Sequence, residues 1–253
     1  MSSQITNFHN FQLLIRSWKK LCKKTGLSIR SLCELDGFPI FEIRSPSVGE
    51  TPCIYISAGI HGDEPAGIAG LLEWALEKEA NLTSLPLLLY PCLNPWGYLN
   101  NSRLDLSGID LNRVWNDPRH RLVKTIGDST SQFKISLSVN LHEDYDGQGI
   151  YLYEPQSGGR VDEVADKILL SGETIIKRDP RKKIDGRIVK NGIIRPKSYK
   201  LPEDGFPEAL YLYKNTKGRN FTFETPSEYA FENRVNAHKK MIECAVQSMT
   251  GQG

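Results

Sequence analysis

Two uninterrupted apolar runs, at 53–59 and 85–92, constrain the fold of this 253-residue chain more than any other feature. Both have strand length, and neither alternates with polar residues. A strand that is apolar on both faces has to be covered on both, the condition of a sheet packed between helices. Between the runs, Ile68, Leu71, Leu72, Ala75 and Leu76 recur at helical spacing and predict a helix over 64–80 with those residues inward. Strand, helix, strand is the βαβ rhythm of an α/β sheet.

The flanking segments read in the same way. Phe8, Phe11, Leu14, Ile15, Trp18 and Leu21 predict an amphipathic helix over 8–24, stopped by Gly26. Strands follow at 28–35 and 38–44, joined through Asp36-Gly37, a hairpin turn pair. Asn94-Pro95-Trp96-Gly97 reads as a turn by composition. Helical signal is weak from 118 to 134, though 122–126 fits a helix, and 135–141 is a further buried strand ending at His142. Helices are expected over 158–174 and 228–249, with a short strand at 221–223 ending at Glu224. Five cysteines (22, 33, 53, 92 and 244) lack metal-ligand spacing, and Cys53 and Cys92 lie in apolar runs as buried, reduced thiols. Neither a repeat nor a linker marks a second domain. The expected fold is a single-domain α/β structure over 1–253, with a mixed, mostly parallel central sheet flanked by helices on both faces. Residues 1–50 supply an N-terminal helix and hairpin, and 177–220 a basic loop or hairpin excursion near the site.

Net charge is only +2, which argues against a general nucleic-acid binder. No run of 18 apolar residues exists, so no membrane span is expected. The first twenty residues lack the apolar core and cleavage site of a signal peptide, and the expected location is the cytoplasm. The segment 177–200 stands apart: ten Lys or Arg face only Asp179 and Asp185, a local excess of +8. Asp185-Gly186 and Asn191-Gly192 are hairpin signals within it. Such a segment is either a solvated basic surface or a device that steers an acidic substrate toward a nearby cleft.

The chemistry begins where the first run stops, at Gly59-Ile60-His61-Gly62-Asp63-Glu64-Pro65. A His and a Glu three apart on a first helical turn share one face. Imidazole nitrogen and carboxylate oxygen suit zinc. The plainer reading is a His near a helix start and a Glu satisfying first-turn amides. His142, at the end of another buried strand, bears on that choice, because ligands in α/β sheets bind beyond the carboxyl ends of the strands.

Further motifs follow in order: Asn94-Pro95-x-Gly97 leading to Arg103, then Asp110-Leu111-Asn112-Arg113, His142, and Glu224 in Phe223-Glu224-Thr225-Pro226. Each alone reads as a turn, a cap, a surface cation or a strand end. Together, over about residues 50–230, they resemble the zinc carboxypeptidases of the carboxypeptidase A type. That superfamily includes the succinylglutamate desuccinylase and aspartoacylase branch and the murein-peptide amidases. The resemblance implies that His61, Glu64 and His142 ligate one zinc ion, with Asp110 hydrogen-bonding the first zinc histidine from behind. It implies Glu224 as the base that takes a proton from water, and Arg103 as the cation facing the developing oxyanion. Asn112 and Arg113 would capture the substrate's free carboxylate, which a guanidinium fork fits.

Family members often carry a mobile tyrosine between the second His ligand and the base, and Tyr199, Tyr211 and Tyr213 are its candidates here. The acidic loop with Glu143, Asp144 and Asp146 leaves a second metal ion open, and the pocket for the terminal side chain is expected around 203–214. The implied reaction is hydrolysis of an amide next to a free carboxylate. Its substrate is either a small peptide losing its C-terminal residue or an N-acyl amino acid, with acidic character favoured by 177–200. A reading of another class is a binding module that kept the fold and lost catalysis; the complete residue set argues against it. His9, His120 and His238 sit in no motif and read as structural. A serine hydrolase is excluded by the lack of a Gly-x-Ser-x-Gly elbow.

Overall fold

The computed structural model describes residues 9–155, 162–196 and 205–251. Helix α1 (Phe11–Thr25) is capped by the Asn10 side chain, which accepts from the Leu13 amide, and is closed by left-handed Gly26. It starts later than periodicity suggests, and Phe8 lies outside the described residues. Strands β1 (Ser28–Leu35) and β2 (Phe38–Arg44) form the expected hairpin, with Asp36 and Gly37 both at positive φ as their turn requires.

The apolar runs become β3 (Cys53–Ala58) and β4 (Leu87–Tyr90), joined by helix α2 (Pro65–Glu77) and a short 3-10 turn. Every residue of both strands is buried. Helix α2 ends before 80, and Leu76 points outward at 45% exposure, so the inward stripe is Ile68, Leu71, Leu72 and Ala75. Asn94 to Gly97 is a helix start and not a turn: the Asn94 side chain caps α3 (Pro95–Asn100) by accepting from the Gly97 amide at 2.8 Å. The weak helical signal after 118 corresponds to α4 (Arg121–Thr130).

Strand β5 (Ile135–Asp144) continues two residues beyond His142. Next come β6 (Tyr151–Tyr153), α5 (Val164–Glu173) and the small strands β7 (Lys183–Ile184), β8 (Arg187–Lys190) and β9 (Ile193–Ile194). Residues 158–161 of the expected helix lie outside the described residues. The turns at Asp185-Gly186 and Asn191-Gly192 have positive φ at all four residues, as read from sequence. Helix α6 (Glu208–Asn215), β10 (Arg219–Pro226) and α7 (Phe231–Thr250) complete the described chain.

Among the described residues, all strands join one ten-stranded sheet ordered β1-β2-β4-β3-β5-β10-β6-β9-β8-β7. The four central strands β4, β3, β5 and β10 are parallel, and the wings are built from antiparallel pairs apart from the parallel pair β6–β9. Successive side chains on a strand point to opposite faces. Thus Ile54, Ile56, Leu87 and Leu89 pack with α1, α2, α5 and α7 on one face. Cys53, Tyr55, Leu88 and Tyr90 pack with α4 and α6 on the other. That two-sided covering explains why the strands are apolar throughout. Among the described residues, no helix is long and apolar enough to cross a membrane.

Candidate metal centre

The first two candidate ligands leave β3 in a tight turn. Pro65 occupies the first helical position, where its missing N–H costs nothing, so Glu64 stands at the position just before α2. His61 and Glu64 therefore precede the helix and do not sit on its first turn. The turn is possible because Gly62 has no side chain: a Cβ there would lie 1.9 Å from the Gly97 carbonyl carbon. The Gly62 amide donates to the Ser102 carbonyl at 2.9 Å, fastening the turn to the end of α3.

Although Glu64 sits at a helix N-terminus, its side chain makes no capping hydrogen bond. It faces the histidines: His61 Nδ1 lies 2.6 Å from Oε1 and His142 Nδ1 2.9 Å from Oε2. The ligand atoms of His61, Glu64 and His142 all lie within 4.8 Å of one another, and all three residues are buried. Among the described residues this is the one group of three or more His, Cys, Asp or Glu that could hold a metal.

Electrostatics favour a cation at that point. Burial disfavours a charged His61, yet the carboxylates of Glu64 and Asp110 on its two nitrogens lift the imidazole to about 9. Burial works against ionised Glu64 as well, yet the two histidines hold its carboxyl far below the usual range. Groups that stabilise an imidazolium equally stabilise a divalent ion, and two imidazoles with one carboxylate form a donor set suited to zinc.

Asp110 accepts from the amide of Asn112 at 2.8 Å, contacts His61 Nε2 at 3.2 Å and receives Arg103 Nε at 3.1 Å. One carboxylate thus orients both a histidine and an arginine. The Arg103 guanidinium reaches within 3.3 Å of His61 Nδ1. Asn112 Oδ1 accepts from the Glu208 amide at 2.9 Å, leaving the Asn112 N–H groups as donors. Arg113 continues the same turn, and its carbonyl accepts from the Phe206 amide.

A cavity of about 670 Å³ takes in His61, Glu64, Arg103, Asn112, Arg113, His142 and Glu224. Glu224 is half-buried there. Burial, with Glu64, Asp144 and Asp185 nearby, pushes its carboxyl well above the usual range against the pull of His142. All seven residues read from the sequence as ligands, base or substrate contacts therefore share one cavity, with Asp110 behind them.

Two expectations change. Tyr211 lines a separate cavity with Trp115, and Tyr213 packs beside the apolar cluster of α4 and α6, whereas Tyr199 lies outside the described residues. The tyrosines on the main cavity are Tyr145, Tyr151 and Tyr153, the last two alternate residues on one face of β6. Among the described residues the acidic loop gathers no second cation site: Glu143 binds the Ala66 amide and Arg234, and Asp144 binds Arg181 and Tyr151. The cavity wall expected around 203–214 includes Pro207, Ala209 and Leu210, joined by Asp185, Arg187 and Pro196 from the β7–β9 region.

Much of the basic segment is neutralised locally. Arg178 pairs with Asp166 and Glu173, Arg181 with Asp179 and Asp144, and Arg195 with Glu154. Arg187 lines the cavity without an ion pair to any described residue. Sequence reasoning saw the charge excess, but could not tell which cation faces inward.

Residues 50–144 match the Succinylglutamate desuccinylase/Aspartoacylase catalytic domain family. The chain is 30% identical over 138 residues to cytosolic carboxypeptidase 1 of Gallus gallus, covering 49% of this chain and 11% of that protein. It is 37% identical over 83 residues to the Mus musculus protein of the same name, covering 30% of this chain and 7% of that protein. It therefore spans about a tenth of the curated relatives it matches. A Shewanella denitrificans OS217 crystal structure, provisionally described as a metallopeptidase, superposes with a TM-score of 0.85 at 20% identity, covering 98% of this chain and 94% of that one. A metallo-carboxypeptidase from Pseudomonas aeruginosa, in complex with (2-guanidinoethylmercapto)succinic acid, superposes with a TM-score of 0.65 at 14% identity, covering 96% and 69%.

The fold is similar to that of metallo-carboxypeptidases of solved structure, and His61, Glu64 and His142 form a buried group that could hold a metal ion. The family match over residues 50–144, the cytosolic carboxypeptidase relatives and the shared fold support the resemblance to the zinc carboxypeptidase superfamily.

Proposed function

We propose that this protein is a zinc-dependent hydrolase that cleaves an amide bond next to a free carboxylate, acting as a carboxypeptidase that releases a C-terminal amino acid. The observation that carries this reading is the gathering of His61, Glu64, His142, Arg103, Asn112, Arg113 and Glu224 around one cavity. His61, Glu64 and His142 would hold a single zinc ion. When bound, zinc supplies the Lewis acidity that makes a water nucleophilic near neutral pH.

The chain's own residues account for the remaining steps. Arg113 and the Asn112 amide hold the substrate carboxylate and so fix which bond is presented. Arg103, braced by Asp110, places its guanidinium where the carbonyl oxygen gains charge. Glu224 takes a proton from the attacking water and returns it to the leaving amine. A carboxyl pushed upward by burial suits both halves of that transfer.

The substrate is a small peptide with acidic character, and Arg187 is the inward-facing cation that supports the preference. The ligand of the Pseudomonas neighbour is a succinic acid derivative, in keeping with carboxylate recognition in such a cavity. A cytoplasmic location belongs to the same reading, supported by the cytosolic names of the relatives. One domain over 1–253 suffices for it. The second reading, deacylation of an N-acyl amino acid, draws on the desuccinylase and aspartoacylase match over residues 50–144. Hydrolysis of a peptide panel beside N-acetyl-aspartate and N-succinyl-glutamate separates the two. Release of C-terminal residues is expected, and turnover confined to the acylated amino acids would overturn the peptidase reading. Purified protein that retains no zinc and gains no hydrolysis from added metal would defeat both, and leave a binding module.

A further inference from the structure

Glu64 poses a problem of competition. It stands at the N-terminus of α2, where a carboxylate ordinarily turns back to satisfy first-turn amides. A residue engaged that way is unavailable to a metal. In this chain another side chain caps the helix instead, with Glu143 Oε1 accepting from the Ala66 amide at 2.7 Å. The Glu143 backbone amide also donates to Glu64 Oε2 at 3.1 Å. The same residue therefore occupies the helix end and draws the Glu64 carboxylate toward the histidines.

The placement of Glu143 follows from strand geometry. Neighbours on a strand face opposite ways, so while His142 faces the cavity, Glu143 faces α2 and α7. There its second oxygen is held by the Arg234 guanidinium of α7, and the pair is almost wholly buried. One helical turn further on, His238 Nε2 lies 3.1 Å from Thr225 Oγ1. Thr225 and Glu143 are register partners, directly after the Glu224–His142 pair. Through two side chains four apart, α7 holds the back of both strands that carry the site.

We propose that Glu143, clamped by Arg234, is a positioning residue that caps α2 in place of Glu64 and thereby frees Glu64 to ligate the metal. The role rests on the proposed metal site, and the test separates the two. Zinc affinity is measured by chelator competition, alongside the melting temperature of the metal-free protein, in two double variants. Replacing Arg234 by Met in both avoids stranding a buried charge, which is more harmful than removing the pair. Glu143→Gln/Arg234→Met keeps an acceptor for Ala66, whereas Glu143→Met/Arg234→Met does not.

The Gln variant is expected to bind zinc within about threefold of wild type. The Met variant should fall about 10- to 100-fold at a similar metal-free melting temperature, the range typical of lost outer-shell support. Equal zinc affinity in the two double variants would overturn the positioning role. Should the Met variant not fold, Arg234→Lys keeps the charge but lacks the guanidinium fork. It should weaken zinc at least about threefold without a shift in metal-free melting temperature, and wild-type affinity in it would overturn the role equally. A wild-type protein that binds no zinc would instead refute the metal site itself.

Discussion

Glu224 of β10 and His142 of β5 are register partners on adjacent parallel strands, side by side on the cavity. The proposed base and metal ligand are thereby fixed by backbone pairing and not by a loop. Their substitutions should therefore separate cleanly. Glu224→Gln is expected to keep zinc and lose at least about 100-fold in turnover, the low end for removal of a proton-transfer group. His142→Ala is expected to lose the metal itself. Metal analysis and steady-state kinetics on both proteins check this, and matching zinc content and turnover in the two would refute the assigned roles.

Asp110 serves two partners, so its replacement should have two effects. Asp110→Asn leaves a neutral amide facing His61 Nε2 and weakens the hold on Arg103. Zinc affinity is expected to fall about 10- to 100-fold, as for other histidine-orienting carboxylates. A loss of turnover should remain at saturating zinc, because Arg103 is no longer braced. Chelator competition reads the first effect, and kinetics with excess zinc the second.

How much of this was legible depended on the range of the interaction. Strands β3 and β4 were readable because burial on both faces leaves Ser57 as the single polar residue in the two strands. The Asp36-Gly37, Asp185-Gly186 and Asn191-Gly192 turns were readable because positive φ is a local demand. The extension of β5 to Glu143 was not, since it depends on pairing with Thr225, some eighty residues later. Glu143 consequently read only as part of an acidic loop, and no local pattern joined it to Arg234. Tyr211 and Tyr213 were plausible by position in the chain, but α6 turns them toward Trp115 and the cluster around it.

His238 makes stability depend on pH. Burial, with Arg234 nearby, lowers its imidazole to about 3, whereas in an unfolded chain it titrates near 6.5. Between those values the unfolded state binds a proton that the folded state does not, so stability falls as pH drops. At pH 5 the cost is about 2 kcal/mol for a group displaced this far. His238→Gln, which retains a polar partner for Thr225, should flatten the pH 5 to 7 portion of the stability curve. Denaturant midpoints for the two proteins across that range test it, and parallel curves would exclude His238 as the source.

Arg187 should matter for some substrates and not for others. It lines the cavity with no ion pair among the described residues, while its neighbour Asp185 accepts from the Tyr153 hydroxyl at 2.6 Å. An unpaired inward guanidinium gains most when a substrate carboxylate reaches it. Arg187→Gln is therefore expected to raise KM about tenfold for peptides with an acidic side chain beside the cleaved bond. This corresponds to a charge-assisted hydrogen bond of about 1.5 kcal/mol. KM for neutral peptides should stay nearly constant, and an equal rise for both classes would count against the assignment.

Gly62 sets how closely the His61 turn can approach α3. An added Cβ would fall 1.9 Å from the Gly97 carbonyl carbon and 2.1 Å from the Tyr98 nitrogen, both backbone atoms that no rotamer change can move. The turn would have to lift, breaking the bond from the Gly62 amide to the Ser102 carbonyl and carrying His61 away from Glu64. Overpacking of this kind costs about 1–3 kcal/mol or more. Gly62→Ala should thus lower the melting temperature and also lose zinc beyond what a remote variant of equal instability loses. Leu82→Ala, buried under α2 and away from the cavity, supplies that comparison. Zinc binding in Gly62→Ala equal to that in Leu82→Ala would show that the close approach serves stability alone.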